Sequence, residues 1–105
     1  MNATLRIALP EEELTSFCRR WKITELSAFG SVLREDFGPE SDIDLLVTFA
    51  PDAHWTLFDM ARMRDELARL LGREVDLVTR RGVEASRNPI RREAILSSAE
   101  IIYAA

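Results

Sequence analysis

The fold of this chain follows from one stretch, Asp42-Ile43-Asp44-Leu45-Leu46-Val47, in which two acidic residues lead into an apolar run. Side chains alternate between the two faces of a strand, so Asp42 and Asp44 are expected on one face, one pleat apart. Carboxylates held this close repel each other, which pushes each towards its neutral form. A divalent cation is the simplest group that offsets this repulsion, so the stretch predicts a strand and a metal site together.

A small-residue bend precedes this strand. Gly30 and Ser31 end a mixed apolar segment, and the residues that follow them read as a short helix. The free backbone N–H groups at such a helix start can bind a phosphate. A phosphate-binding turn beside metal-binding carboxylates suggests phosphoryl or nucleotidyl transfer.

A third carboxylate, Asp76, interrupts the apolar run Val75-Asp76-Leu77-Val78. An unpaired carboxylate buried in such a run is costly, which favours a ligand role for Asp76. Glu74 is the alternative, but its place nearer the strand end is explained by solvation. Three carboxylates suit Mg²⁺, a hard cation that takes oxygen ligands, and Asp76 could also help to deprotonate an incoming hydroxyl.

The order of elements predicts one α+β domain over residues 1–105, with a small mixed sheet of three to four strands flanked by helices. The predicted elements are helix 10–21, strand 23–29, short helix 31–36, turn 37–40, strand 42–49, helix 56–71, strand 74–79 and helix 88–98. The core face of the longest helix is predicted to comprise Leu57, Met60, Ala61, Leu67, Leu70 and Leu71. Residues 99–105 fit either a continued helix or a short strand.

Composition and charge exclude some classes of protein and argue against others. The chain has 105 residues, of which 47% are hydrophobic and 30% charged, as in ordinary globular proteins. The formal charge of −4 argues against direct nucleic-acid binding. The single cysteine excludes an internal disulfide, and without a long apolar run the expected location is cytoplasmic, with no membrane contact. Arginines concentrated in the last third form either a solvated face or a surface for a polyphosphate or a partner.

Gly30-Ser31, a ten-residue gap, Asp42-Ile43-Asp44 and the later Asp76 together resemble the signature of the DNA polymerase β-like nucleotidyltransferase superfamily. Longer phrases, such as Gly-Ser-Val-Leu-Arg-Glu-Asp-Phe from Gly30 and Leu-Gly-Arg-Glu-Val-Asp-Leu-Val-Thr from Leu71, are similar to the minimal nucleotidyltransferase (MNT) group. The resemblance implies the polymerase β-like fold. It covers most of the chain from about residue 10.

The resemblance further implies an antitoxin that is paired with a HEPN-type ribonuclease toxin. Such proteins transfer AMP from ATP, with Mg²⁺, to a tyrosine of the toxin. By this match the metal ligands and catalytic carboxylates are Asp42, Asp44 and Asp76. The nucleotide contacts are Gly30, Ser31 and Arg34.

Two rival functions stay open. The chain could neutralise a partner by binding alone, through its apolar and arginine-rich C-terminal segment. It could also perform the same chemistry on a small molecule or on an RNA 3′-hydroxyl, although its acidic net charge counts against RNA. His54, the single histidine, has no Cys or Ser partner in the sequence pattern and fits a surface loop.

Overall fold

The structure, a computed structural model, describes residues 9–30 and 42–105. Over these residues the chain forms, in order, α1 (Glu11–Arg20), β1 (Ile23–Phe29), β2 (Ile43–Phe49), α2 (Leu57–Leu71), β3 (Val75–Thr79), α3 (Arg80–Glu84), α4 (Pro89–Ser98) and β4 (Glu100–Ala104). Ser31, Arg34, the predicted short helix 31–36 and the predicted turn 37–40 lie outside the described residues.

The strands form one mixed sheet in the order β3-β2-β1-β4. β1 pairs antiparallel with both β2 and β4, whereas β2 pairs parallel with β3. The parallel pair is joined by α2, the crossover helix that a parallel connection requires. The predicted α+β class with a small mixed sheet is therefore confirmed.

Helices cover both faces of this sheet because the side chains of β2 alternate. Leu45 and Val47 face α1 and α2, where they are fully buried with Phe17 of α1 and Leu67 of α2. Leu46 points to the other face, where the smaller apolar cluster takes in α3 and α4. That cluster comprises Phe29, Leu46, Val83 and Ile95. β2 is thus apolar on both faces, as expected for a strand between two helical layers.

Local sequence signals set the ends of the helices. Thr56 caps α2 by accepting a hydrogen bond from the Asp59 N–H, and the Asp59 carboxylate accepts one from the Thr56 N–H in return. Gly72 ends α2 in the left-handed conformation at φ +69°. Asn88 caps α4, and Pro89 occupies the first turn. These predicted boundaries are confirmed to within a residue or two.

The structure corrects the sequence predictions at Leu57 and at α3, and it decides the conformation of residues 99–105, which the sequence left open. Leu57 was predicted in the core face of the long helix, but it is 88% exposed and its neighbour Phe58 is 83% exposed, because the described elements do not cover the first turn of α2. α3 was not predicted, since its five residues are too few to show a helical period. The open choice for residues 99–105 is resolved in favour of a strand, β4, which pairs with β1. Among the described residues no helix is long and apolar enough to cross a membrane.

The outer surface of α1 and α2 is joined by polar contacts. The Glu66 carboxylate accepts hydrogen bonds from the Arg20 guanidinium and from the Trp21 indole, the latter at 3.2 Å. The Trp21 ring packs edge-on against Trp55 with 5.0 Å between ring centroids. Deeper in this layer Cys18 is fully buried, and burial raises the pKa of its thiol to about 12.

Glu66 should make the stability of the fold depend on pH. The hydrogen bond from Arg20 lowers the pKa of Glu66 below its ordinary value, and the hydrogen bond from Trp21 acts in the same direction. A carboxyl whose pKa is lower in the folded than in the unfolded state stabilises the fold above the unfolded pKa of about 4.3. That contribution is lost as the pH falls through the folded pKa.

The unfolding free energy of the wild type should therefore fall more between pH 7 and pH 3 than that of Glu66→Gln does. We expect the difference between the two falls to be about 0.5–1 kcal/mol. Urea unfolding at both pH values measures the difference. Glu93→Gln, at an exposed position on α4, is the matched control and should keep the wild-type loss. An unchanged loss in Glu66→Gln would contradict the prediction.

Candidate active site

Two of the predicted carboxylates occupy paired positions on neighbouring strands. In the parallel ladder Asp44 of β2 lies directly opposite Asp76 of β3. Paired residues of adjacent strands point to the same face, and adjacent strands are about 4.8 Å apart, so the two side chains share one end of one sheet face. Asp44 is half-buried, whereas Asp76 is exposed. The burial expected for Asp76 from its apolar run is therefore wrong: β3 is the terminal strand of the described sheet and leaves Asp76 open to solvent, while Asp44 is held partly inside.

Gly30 leaves the space into which the Asp44 carboxylate fits. Phe29 pairs with Asp44 on the other side of β2, and Gly30 follows it with φ +73°. A Cβ atom at residue 30 would overlap Oδ2 of Asp44 and stand 3.3 Å from its Cγ. Glycine is required here both by the left-handed backbone and by the approach of the carboxylate.

Asp42 lies one residue before β2 and is exposed. The strand itself begins at Ile43, whose N–H donates to the Glu74 carbonyl at 2.9 Å. The part of the chain that the structure describes contains no group of three or more histidine, cysteine or acidic side chains arranged to hold a metal ion. The structure thus brings Asp44 and Asp76 together. Asp42 lies two residues before Asp44 in the chain, and the three side chains do not form a closed set of metal ligands.

This arrangement fits Mg²⁺ in particular. Magnesium is commonly held by one or two carboxylates, with waters and substrate phosphates in its other positions, and does not require an all-protein cage. Asp44 and Asp76 supply hard oxygen donors at paired positions, and the missing Cβ of Gly30 allows the Asp44 carboxylate to take its place there. The residues present therefore suit a magnesium ion that arrives together with a phosphate-bearing substrate.

Arginines near the site differ in their surroundings. Arg64 of α2 lines, together with Asp76, a cavity of about 230 Å³ beside β3. Arg80 follows the far end of β3, where its guanidinium contacts Glu25 at 3.5 Å and Glu84 at 3.3 Å. Arg80 is therefore engaged in ion pairs four residues beyond Asp76. Sequence periodicity gave no signal for Arg64, since its closeness to Asp76 depends on how α2 lies across the sheet edge.

The nucleotidyltransferase domain family matches this chain over residues 11–102. That range takes in every described helix and strand except the last two residues of β4. The chain therefore belongs to the nucleotidyltransferase family and is a nucleotidyltransferase.

Two relatives in sequence carry a more specific name. The chain is 35% identical over 77 residues to the candidate protein adenylyltransferase MJ0435 of Methanocaldococcus jannaschii, and the aligned residues cover 73% of this chain and 76% of the relative. It is 32% identical over 84 residues to the candidate protein adenylyltransferase MJ0128 of the same organism, covering 80% of this chain and 79% of the relative.

Solved structures share the fold. A candidate minimal nucleotidyltransferase is 39% identical to this chain and superposes with a TM-score of 0.64, covering 85% of both chains. A toxin–antitoxin complex solved with AMP-PNP contains a chain that superposes with a TM-score of 0.69 at 21% identity, covering 92% of this chain and 75% of that one. At that identity the second likeness shows the fold alone.

The fit of Asp44 against Gly30 generates a prediction with an internal control. Gly30→Ala and Gly72→Ala both place alanine in a left-handed conformation, which costs about 1 kcal/mol in unfolding free energy. Only Gly30→Ala also drives a Cβ into the Asp44 carboxylate, because nothing lies within 4 Å of a Cβ at Gly72.

We expect Gly30→Ala to weaken magnesium-dependent ATP binding about tenfold, as changes that reorient a metal ligand do, and Gly72→Ala to leave it unchanged. Isothermal calorimetry with and without Mg²⁺ measures the binding, and urea unfolding measures the shared stability cost. Equal affinities for ATP in the two variants would show that Gly30 does not position Asp44.

Proposed function

We propose that this nucleotidyltransferase transfers AMP from ATP to a protein hydroxyl, with Mg²⁺, and acts as the antitoxin of a HEPN-type toxin whose tyrosine is the acceptor. The observation that carries the proposal is the pair Asp44 and Asp76 beside Gly30. Two carboxylates at paired positions on neighbouring strands can hold a hard divalent cation, and such a cation can bind a triphosphate at the same time.

Each site residue has a role in this proposal. Asp42, Asp44 and Asp76 hold the metal, and Asp76 also lies on the side of the acceptor. Gly30 admits the Asp44 carboxylate, while Ser31 and Arg34 contact the nucleotide phosphates. The roles of Ser31 and Arg34 rest on the resemblance of the sequence, since both lie outside the described residues.

The chemistry is a single displacement at phosphorus. The acceptor hydroxyl oxygen forms a bond to the α-phosphorus of ATP, and the bond from that phosphorus to the bridging oxygen breaks, so that pyrophosphate leaves. Asp76, exposed and adjacent to the attack side, accepts the hydroxyl proton. A bound magnesium ion supplies charge neutralisation for the phosphates. The protein contributes mainly position and charge, as is usual when a phosphorus centre is displaced.

The choice of acceptor rests on the relatives. The proteins from Methanocaldococcus jannaschii carry names as candidate protein adenylyltransferases, which supports a protein acceptor and AMP as the transferred group. The neighbours in fold include toxin–antitoxin complexes, one of them solved with AMP-PNP, which supports ATP as the donor and a toxin as the partner.

Removal of the paired charges should abolish transfer. We expect Asp42→Asn/Asp44→Asn, expressed with a HEPN-type toxin encoded beside it, to leave the toxin unmodified, whereas the wild type adds adenylate units that intact-mass spectrometry detects. The loss should be at least about 100-fold, since metal-held phosphates supply most of the charge stabilisation. Asp76→Asn should slow transfer but retain ATP binding.

Asp52→Asn is the matched control, because Asp52 is an exposed aspartate whose partner is Lys22 at 3.0 Å. It should leave transfer unchanged. A toxin that carries no adenylate after co-expression with the wild type would refute adenylylation. Full protection of cells by the unmodifying Asp42→Asn/Asp44→Asn variant would instead assign neutralisation to binding alone.

A further inference from the structure

An apolar groove follows the outer edge of β3, at the end of the described sheet. Its volume is about 460 Å³, and its lining includes Leu77 and Val78. Consecutive strand residues point to opposite faces, so a groove lined by both must run along the edge of the strand and not across one face. No strand of the described ranges pairs with this edge, because β3 is terminal in the order β3-β2-β1-β4.

The backbone at this edge offers hydrogen-bonding groups to an added strand. The Glu74 carbonyl accepts from the Ile43 N–H, so alternate residues from Glu74 onward direct their backbone groups towards β2. Val75 and Leu77 therefore direct theirs outward. Such an edge is the site at which an extended segment of another protein can add as a further strand.

The groove adjoins a cavity that reaches Asp76 of the candidate active site. The cavity that Asp76 and Arg64 line shares three apolar residues, Leu57, Met60 and Leu77, with the edge groove. Leu57 is 88% exposed, although it lies beside apolar neighbours. A segment that covers Leu57 would therefore pass Asp76 as well.

The charges of the lining residues favour an acidic segment. Arg91 and Arg92 line the edge groove, in which no described residue is acidic. Arg64, which also contacts Asp65 at 3.7 Å, lines the adjoining cavity, where Asp76 is the sole acidic lining residue of the described part of the chain. Arg92 is held in place by a 3.0 Å hydrogen bond from its guanidinium to the Ser86 carbonyl. In a chain of net charge −4, this is a local concentration of positive charge that complements acidic side chains.

We propose that the edge of β3 is the docking site for the acceptor segment of the partner protein, an extended stretch of apolar and acidic residues that carries the hydroxyl to be modified. The segment lies along β3, its acidic side chains meet Arg64, Arg91 and Arg92, and its hydroxyl residue reaches Asp76. This inference deepens the proposed function and rests on it for the identity of the site as a protein-modifying one.

Photo-cross-linking tests where the segment binds without depending on transfer. Benzoylphenylalanine is placed at Leu57 in one variant and at Ile101 in another, since Ile101 is also an exposed apolar residue but lies on β4, at the opposite edge of the sheet. The probe is the acidic copolymer poly(Glu,Tyr), with poly(Lys,Tyr) as its charge-reversed counterpart.

We expect position 57 to cross-link poly(Glu,Tyr) about tenfold more than position 101 does, with little capture of poly(Lys,Tyr). Arg91→Glu/Arg92→Glu should reduce that cross-linking about tenfold, whereas Arg62→Glu/Arg69→Glu, which reverses two charges elsewhere on α2, should leave it unchanged. Equal capture at positions 57 and 101, or equal capture of the two polymers, would overturn the docking site.

The two proposals fail in different measurements. Cross-linking at position 57 should persist when Asp44→Asn/Asp76→Asn is added, because docking does not require catalysis. Cross-linking at position 57, together with no adenylate on the toxin after co-expression with the wild type, would leave the docking site standing and remove the proposed acceptor. Adenylate on the toxin together with equal capture at positions 57 and 101 would remove the docking site alone.

Discussion

The register of the parallel pair β2–β3 is the constraint on which the site depends, because it places Asp44 directly beside Asp76. Like charges directly opposite each other on neighbouring strands disfavour this register, whereas burial of one leucine side chain favours it by about 1.5–3 kcal/mol. Leu45, Leu46 and Val47, which follow Asp44 in β2, are buried and so hold the register. A cation held by both carboxylates would favour the same register.

The two helical layers cover opposite faces of the sheet. α1 and α2 bury the larger apolar cluster on one face, and α3 and α4 complete a smaller one on the face that carries the acidic pair. Asp76 lies on the terminal strand of the described sheet and lines a cavity together with the first half of α2, so the site is open at this edge of the sheet. A substrate as large as a folded protein can reach such a site with one extended segment.

Much of this organisation could be predicted from the sequence, and the misses have physical causes. Thr56, Gly72 and Asn88 act through local hydrogen bonds and backbone angles, so their signals are readable in a single chain. Leu57 was predicted wrongly because helical periodicity tells which way a side chain points but not whether another element covers it. β4 depends on pairing with distant β1, which residues 99–105 alone do not encode. The neighbours of Asp44 and Asp76 depend likewise on strand register.

Cys18 gives this fold a built-in reporter of its own opening. It is the sole thiol in the chain, is fully buried against the sheet, and its pKa of about 12 keeps it protonated and unreactive at neutral pH. Alkylating reagents can reach it only when α1 separates from β1 and β2. The rate at which iodoacetamide alkylates the thiol therefore measures how often the helix separates from the sheet. A thiol-reactive dye would label a second, engineered cysteine on the surface of the native protein and would leave Cys18 unlabelled.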